Sequence, residues 1–166
     1  MDVTEVLHPD ARQSMERAQT SGVALMDVTV HQLHDLSASD LDAWRRLQTA
    51  DPNLDMAFLS PDFAAAIGRV RRNARVAVVH EGSDALAFLP FQQDRFGIGL
   101  ALGLGVSDAQ AVICAPEFSF DPVDLVRSSG LGLWEYDHLV SRLLEFTPHT
   151  FRTAAGHVID VRDGFA

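Results

Sequence analysis

The chain contains no lysine: all 13 of its basic residues are arginine. Without an ε-amino group it cannot form a lysine Schiff base, supply a phosphate-loop lysine or use a Ser-x-x-Lys nucleophile. GC-rich codon usage accounts for the gap better than any activity does. Cysteine is almost as scarce, with Cys114 alone, which excludes an intramolecular disulfide framework. Positive charge is short as well. The 23 acids against 13 bases leave a formal charge of −10, the reverse of the basic excess expected of a nucleic-acid module. Long apolar runs are missing too. Ile98–Val106 is a run of nine residues, eleven when Phe96 and Gly97 are added, against about 20 for a membrane-spanning helix. Residues 1–22 are polar and lack the apolar centre of a secretory signal. A cytoplasmic protein with no nucleic-acid partner and no membrane span is the expectation.

What remains is enough for a globular domain. Apolar residues make up 47% and charged residues 22% of the 166 positions. A chain of this mass folds to about 8,000 Å² of surface from roughly 26,000 Å², burying about 70%. One domain over 23–166 is expected, behind a flexible lead-in over 1–22.

Met26, Val28 and Val30 alternate with Asp27, Thr29 and His31, which predicts a half-buried strand. Ser37 or Ser39 can cap a following helix that puts Leu41, Trp44 and Leu47 on one face and stops at Asp51-Pro52-Asn53. Ser60-Pro61-Asp62 starts a second helix, with Phe63, Ile67 and Val70 as its apolar stripe. The pattern then turns to β. Arg75–Glu81 and Ala85–Phe91 read as a hairpin around Gly82-Ser83-Asp84. Pro90 places the second strand at an edge or a bulge. Gly97, Gly99, Gly103 and Gly105 alternate with apolar residues, suggesting an extended segment closely overlaid by another backbone. Ala109–Ala115 is a further strand, Asp121-Pro122 opens a short helix ended by Gly130, and Leu133–Leu139 and Val158–Val161 complete the strands. The order predicts an α/β (α+β) fold: a mixed, mostly antiparallel sheet flanked by helices.

Motifs that name a reaction are few. No glycine cluster fits Gly-x-Gly-x-x-Gly ahead of a helix, there is no His-Glu-x-x-His, and no Gly-x-Ser-x-Gly presents a nucleophile. No metal site is expected. His31 and His34, three apart at a strand end, are expected on opposite sides. Cys114, in Val-Ile-Cys-Ala, reads as a buried inert thiol. Arg69, Arg71, Arg72 and Arg75 suit an anion, or simply a solvated helix end. Trp134 and Tyr136 share a strand face and can floor a groove or fill the core. Asp137-His138 is the most suggestive pair. On a regular strand, adjacent residues face opposite ways, which forbids a one-face dyad. One of them can still act as a general base; otherwise they are a loop carboxylate and a half-exposed imidazole.

The stretch from Leu41 to Val161 resembles a known family. The carrying residues are Trp44 and Leu47, Pro52 through Phe58-Leu59-Ser60-Pro61-Asp62-Phe63, Ala77-Val78-Val79 and Ala87-Phe88-Leu89-Pro90-Phe91. Gly103, Gly105, Ser107-Asp108-Ala109-Gln110, Val112-Ile113, Asp121-Pro122, Leu133 through Leu139 and Val158 through Val161 follow in order. Together they are similar to the N-terminal half of GNAT-type acyltransferases of the cellulose-biosynthesis (CelD/BcsL-like) group. The resemblance implies a GNAT-like half of a longer two-half enzyme, using acetyl-CoA or another acyl-CoA on a sugar, polysaccharide precursor or amine. It implies an acceptor groove with Asp137 and His138 as catalytic candidates and Asp108, Gln110 and Trp134 as substrate-binding ones. The partner would be a C-terminal catalytic half or a homodimer mate, with a small-molecule or glycan acceptor. The family's pyrophosphate loop, Gln/Arg-x-x-Gly-x-Gly/Ala, is replaced by Ala115-Pro116-Glu117-Phe118-Ser119-Phe120-Asp121. That junction has no glycine and two acids, so no acyl-CoA is expected to bind tightly to this chain alone. A non-catalytic module that binds a partner protein is the competing expectation.

Overall fold

The computed structural model describes residues 26–155. The lead-in and the strand expected at Val158–Val161 lie outside them. Strands β1 (Asp27–Gln32), β2 (Ala74–Glu81), β3 (Asp84–Gln93), β4 (Ile98–Leu100), β5 (Ile113–Cys114) and β6 (Leu133–Trp134) form one sheet. Helices α1 (Ala38–Ala50), α2 (Pro61–Val70) and α3 (Pro122–Ser128) flank it. The sheet order is β1-β2-β3-β4-β6, with β5 also on β3. Every pairing is antiparallel except β4 with β6. The mixed, mostly antiparallel sheet expected from the sequence is therefore present.

Local chemistry sets the helix starts. The Ser37 side chain accepts from the Asp40 N–H while Asp40 reaches back to the Ser37 N–H, a capping box that selects Ser37 over Ser39. Ser60 accepts from Phe63 N–H at 3.1 Å and Asp121 from Asp124 N–H at 2.9 Å, each followed by proline at the first helical position. Gly82 takes φ +61° as the first residue of the two-residue β2–β3 loop, as such hairpins require. Trp44 joins α1 to the sheet. It is fully buried, stacks on Phe88 with centroids 5.0 Å apart, and donates from Nε1 to the Leu59 carbonyl at 2.9 Å.

Three expectations are corrected. Pro90 is neither on an edge strand nor at the bulge, which falls where Leu86 is the extra residue of β3. β3 is central. Pro90 sits opposite Val76, between the residues that pair with β4 (Gln92, Gln93) and those that pair with β5 (Ala87, Phe88). The missing N–H falls in that gap in the neighbouring ladder, where proline is tolerated. The glycine-rich segment is extended only through Leu100; beyond it the chain turns, and Gly103 and Gly105 both take φ +76°. Close packing does occur, but on side chains rather than on backbone. Third, the strand expected over Leu133–Leu139 ends at Trp134.

β4 and β5 behave as one interrupted strand. Both run antiparallel to β3 on the same side, and the chain leaves the sheet after Leu100 and returns at Ile113. Gly103 anchors this excursion: its N–H donates to the buried Gln92 Oε1 at 2.9 Å. A Cβ on Gly103 would lie 2.8 Å from Phe63 Cζ, on a backbone already in the left-handed region. Gly103→Ala is expected to lower stability by about 1–3 kcal/mol, read as a fall in the denaturation midpoint at unchanged slope.

Candidate functional site

From Cys114 the chain passes through the Ala115–Asp121 junction into α3, then crosses over to β6, which runs parallel to β4. The parallel ladder is short. It pairs Ile98 with Leu133 and Gly99 with Trp134, extends through the Glu135 N–H to the Gly99 carbonyl, and then opens where the excursion leaves. It closes again at a single bridge between Gln110 and Leu139. There Gln110 N–H donates to the His138 carbonyl and Val140 N–H to the Gln110 carbonyl. Tyr136, Asp137 and His138 occupy the opening.

Three of the five sequence-nominated residues meet at this break. Gln110 Nε2 donates to Asp137 Oδ1 at 2.7 Å. His138 Nδ1 lies 3.1 Å from the same oxygen. The alternation argument against an Asp137–His138 contact fails here because the segment bends at these two residues instead of continuing as a strand. Gln110 is buried, 5% exposed, whereas the Asp137 and His138 side chains are 70% and 52% exposed. A buried amide thus holds a solvent-facing carboxylate, which in turn faces an imidazole.

The other two nominees lie apart from this contact. Asp108 is exposed on the excursion. Trp134 is buried in an aromatic cluster, 5.2 Å from Tyr136 and 5.3 Å from Phe146 between ring centroids. The Tyr136 hydroxyl lies 3.0 Å from Thr150 Oγ1. Gly99 permits this packing, since a Cβ there would fall 2.6 Å from Leu131 Cδ1 and 3.1 Å from Trp134 Cδ1.

A second polar centre was not legible in the sequence. Arg142 Nε lies 2.8 Å from Asp51 Oδ2, with the two side chains 14% and 4% exposed. The N–H is not directed at that oxygen, so this is a charge pair rather than an aligned hydrogen bond. Asp51 Oδ1 accepts from the Asn53 N–H and side-chain amide, both at 2.9 Å. Arg142 Nη2 donates to the Cys114 carbonyl at 2.8 Å. Burial pushes the Cys114 thiol up, and the Arg142 hydrogen bond and charge offset this only in part. Thiolate character is thereby suppressed. Asp51-Pro52-Asn53 had signalled only a helix stop; nothing local marks Asp51 as the partner of a distant arginine. His31 and His34 have different neighbours: His34 approaches Asp35 at 3.5 Å, while His31 Nε2 lies 2.7 Å from Thr29 Oγ1, which is 3.1 Å from His80 Nε2.

The Ala115–Asp121 junction is poorly suited to an anion. Pro116 has no N–H to offer, Glu117 is exposed, and the Asp121 carboxylate already occupies the first turn of α3. Among the described residues no three His, Cys, Asp or Glu side chains gather as a metal site, and no helix is long and apolar enough to cross a membrane. Comparison with protein-family models, curated proteins and solved structures returns no match for this chain.

Proposed function

We propose that the chain is a GNAT-like domain of an acyl-CoA-dependent acyltransferase acting on a sugar, polysaccharide precursor or amine, and that it shapes the acceptor side of the site. The observation that carries this reading is the meeting of Gln110, Asp137 and His138 at the break in the parallel ladder, where a buried amide from one segment meets two solvent-facing side chains of another. The element order supports it: antiparallel strands, an interrupted strand, a helical crossover and a parallel strand follow one another as in the family that the sequence resembles. Asp137 and His138 form the proton-accepting pair for an acceptor hydroxyl or amine. Asp108 is exposed on the excursion that opens the ladder.

The junction residues do not fit a CoA pyrophosphate, so no step is assigned to the donor on this chain. The reading gives the donor to a partner, either a C-terminal catalytic half or a homodimer mate. The rival reading, a non-catalytic module that docks a partner protein, draws on Phe96 and Leu133, which are 72% and 53% exposed beside the β4–β6 end of the sheet. Titration calorimetry with acetyl-CoA separates the two. The chain alone is expected to show no binding heat, and a complex with a second half is expected to bind acetyl-CoA and transfer its acetyl group. Binding by the chain alone overturns the assignment of the donor to a partner. A complex that neither binds nor transfers favours the docking module.

A further inference from the structure

We propose that one end of the sheet is a contact surface for an anionic lipid membrane, where exposed arginines meet the phosphate headgroups and exposed apolar side chains reach the outer acyl chains. The proposal goes beyond the acceptor-side reading above and does not depend on it.

Three connections emerge together at this end. The Asn73 carbonyl accepts from the Gln93 N–H at 3.0 Å and its side-chain amide donates to the Gln93 carbonyl at 3.1 Å, which sets the α2–β2 connection beside the β3–β4 turn. The Gly132 N–H donates to the Gly97 carbonyl at 3.0 Å, which brings the α3–β6 connection to the same turn. Residues 70–73, 94–97 and 127–133 hold four arginines, Arg71, Arg72, Arg95 and Arg127, and a single acid, Asp94, in a chain of net charge −10. All four arginines are exposed, and among the described residues none pairs with a carboxylate. Asp94 is turned to its own loop, accepting from the Phe96 and Ile98 N–H groups at 2.8 Å. Asp35, which follows β1 at this end, faces His34 at 3.5 Å. The opposite end of the sheet is acidic: Glu81 and Asp84 pair across the β2–β3 loop, and Asp27 starts β1 opposite His80.

Each connection also exposes an apolar side chain: Val70 at 73%, Phe96 at 72% and Leu133 at 53%. The Arg95 guanidinium carbon lies 4.5 Å from the Phe96 ring centroid. Compensation of a helix dipole accounts for Arg71 and Arg127, at the ends of α2 and α3, but not for Arg95, which is on no helix, nor for the apolar exposure. A protein partner is met by a contiguous apolar core with charge kept to its rim. Here every connection carries both kinds of side chain, as a headgroup layer requires: guanidinium groups stay at phosphate depth while apolar side chains reach the acyl boundary. The acidic end is repelled by the same surface, which fixes the orientation of the chain on it.

Co-sedimentation of the full chain with vesicles tests this. Vesicles of phosphatidylcholine mixed with phosphatidylglycerol are expected to bind it, less tightly as salt rises, and vesicles of phosphatidylcholine alone are not. Replacing Arg71, Arg72 and Arg95 together by alanine is expected to weaken binding by about 10²-fold, about fivefold for each arginine. Phe96→Ser keeps every charge and is expected to weaken vesicle binding by about tenfold, while leaving retention on immobilised polyglutamate unchanged. Arg46→Ala, on α1 near the acidic Ser83–Asp84 end, removes one charge away from the surface and is expected to change nothing. All these side chains are exposed, so the variants should melt at the wild-type temperature. No binding to the anionic vesicles at low salt, equal binding to phosphatidylcholine alone, or a triple variant that binds like the wild type overturns the proposal. Retention on polyglutamate together with vesicle binding that ignores Phe96→Ser also overturns it, and assigns the arginines to a soluble polyanion. None of these measurements involves acyl transfer, so the acceptor-side reading stands or falls separately.

Discussion

Replacing Arg142 by alanine is expected to cost about 3–5 kcal/mol of folding stability, as removal of one partner from a buried ion pair does. The large figure comes from what is left behind. Asp51 is 4% exposed, and its Oδ2 would face the interior without its counter-charge. The Cys114 carbonyl would lose its donor as well. Arg142 also ties the segment after β6 to the end of α1 and to β5, so its loss should release the residues around Leu143 and Phe146, both buried in the core. Denaturant unfolding measures the cost; a change within about 0.5 kcal/mol, typical of a surface site, would refute this account.

The same pair has a pH signature. Burial pushes the Asp51 carboxyl up, but the Asn53 hydrogen bonds and the Arg142 charge outweigh it and hold the group below its ordinary range. A carboxyl depressed in the folded state binds its proton more readily in the unfolded chain. Its stabilisation is then complete above the unfolded value, about 3.9, and is lost as pH falls through the lower folded value. The wild type should therefore lose stability below about pH 4, whereas Asp51→Asn, less stable at neutrality, should show a flatter profile there. Parallel slopes would assign the acid sensitivity to another carboxylate.

Removing the His138 imidazole is expected to cut acyl transfer by about 10²–10⁴, the usual worth of a positioned general base. The substitution to make is His138→Ala, and the preparation to assay is the chain together with its proposed donor-binding half. The side chain is half-exposed and its backbone bond to Gln110 survives the substitution, so the fold should be unaffected. Asp137→Ala should lie at the lower end of the same range, because the imidazole stays and only the carboxylate 3.1 Å from it is lost. A rate unchanged in His138→Ala would remove the pair from the mechanism and leave the break in the ladder as a binding surface only.

Much of the fold was legible because it rests on short-range chemistry. Ser37, Ser60 and Asp121 act within three residues of themselves and Gly82 within its own turn, whereas the β2–β3 register also depends on the bulge at Leu86, which alternation does not show. Pro90 misled because its tolerance depends on a gap created by other strands. The expected strand over Leu133–Leu139 ended early because its partner, β4, leaves the sheet after Leu100, and strand residues without a ladder do not stay extended.

The site divides the same way. The residue types at Gln110, Asp137 and His138 stand out in the sequence, and the resemblance placed them in one groove. Their contact, including the hydrogen bond from Gln110 to Asp137, could not be read there. Gln110 and Asp137 are 27 residues apart, and they meet only because the excursion returns beside β6. Asp51 and Arg142 are an even more distant case, joined only once the segment after β6 closes over the end of α1.

By itself, then, the sequence determined the helix starts, the hairpin, the order of elements and the class of fold, because caps, turns and alternation act over a few residues. It also determined what the chain cannot do with lysine or disulfide chemistry. Only the tertiary structure decided where the ladder breaks, which carboxylate is buried against arginine and which faces an imidazole, since burial and charge pairing depend on residues that the chain brings together only by folding.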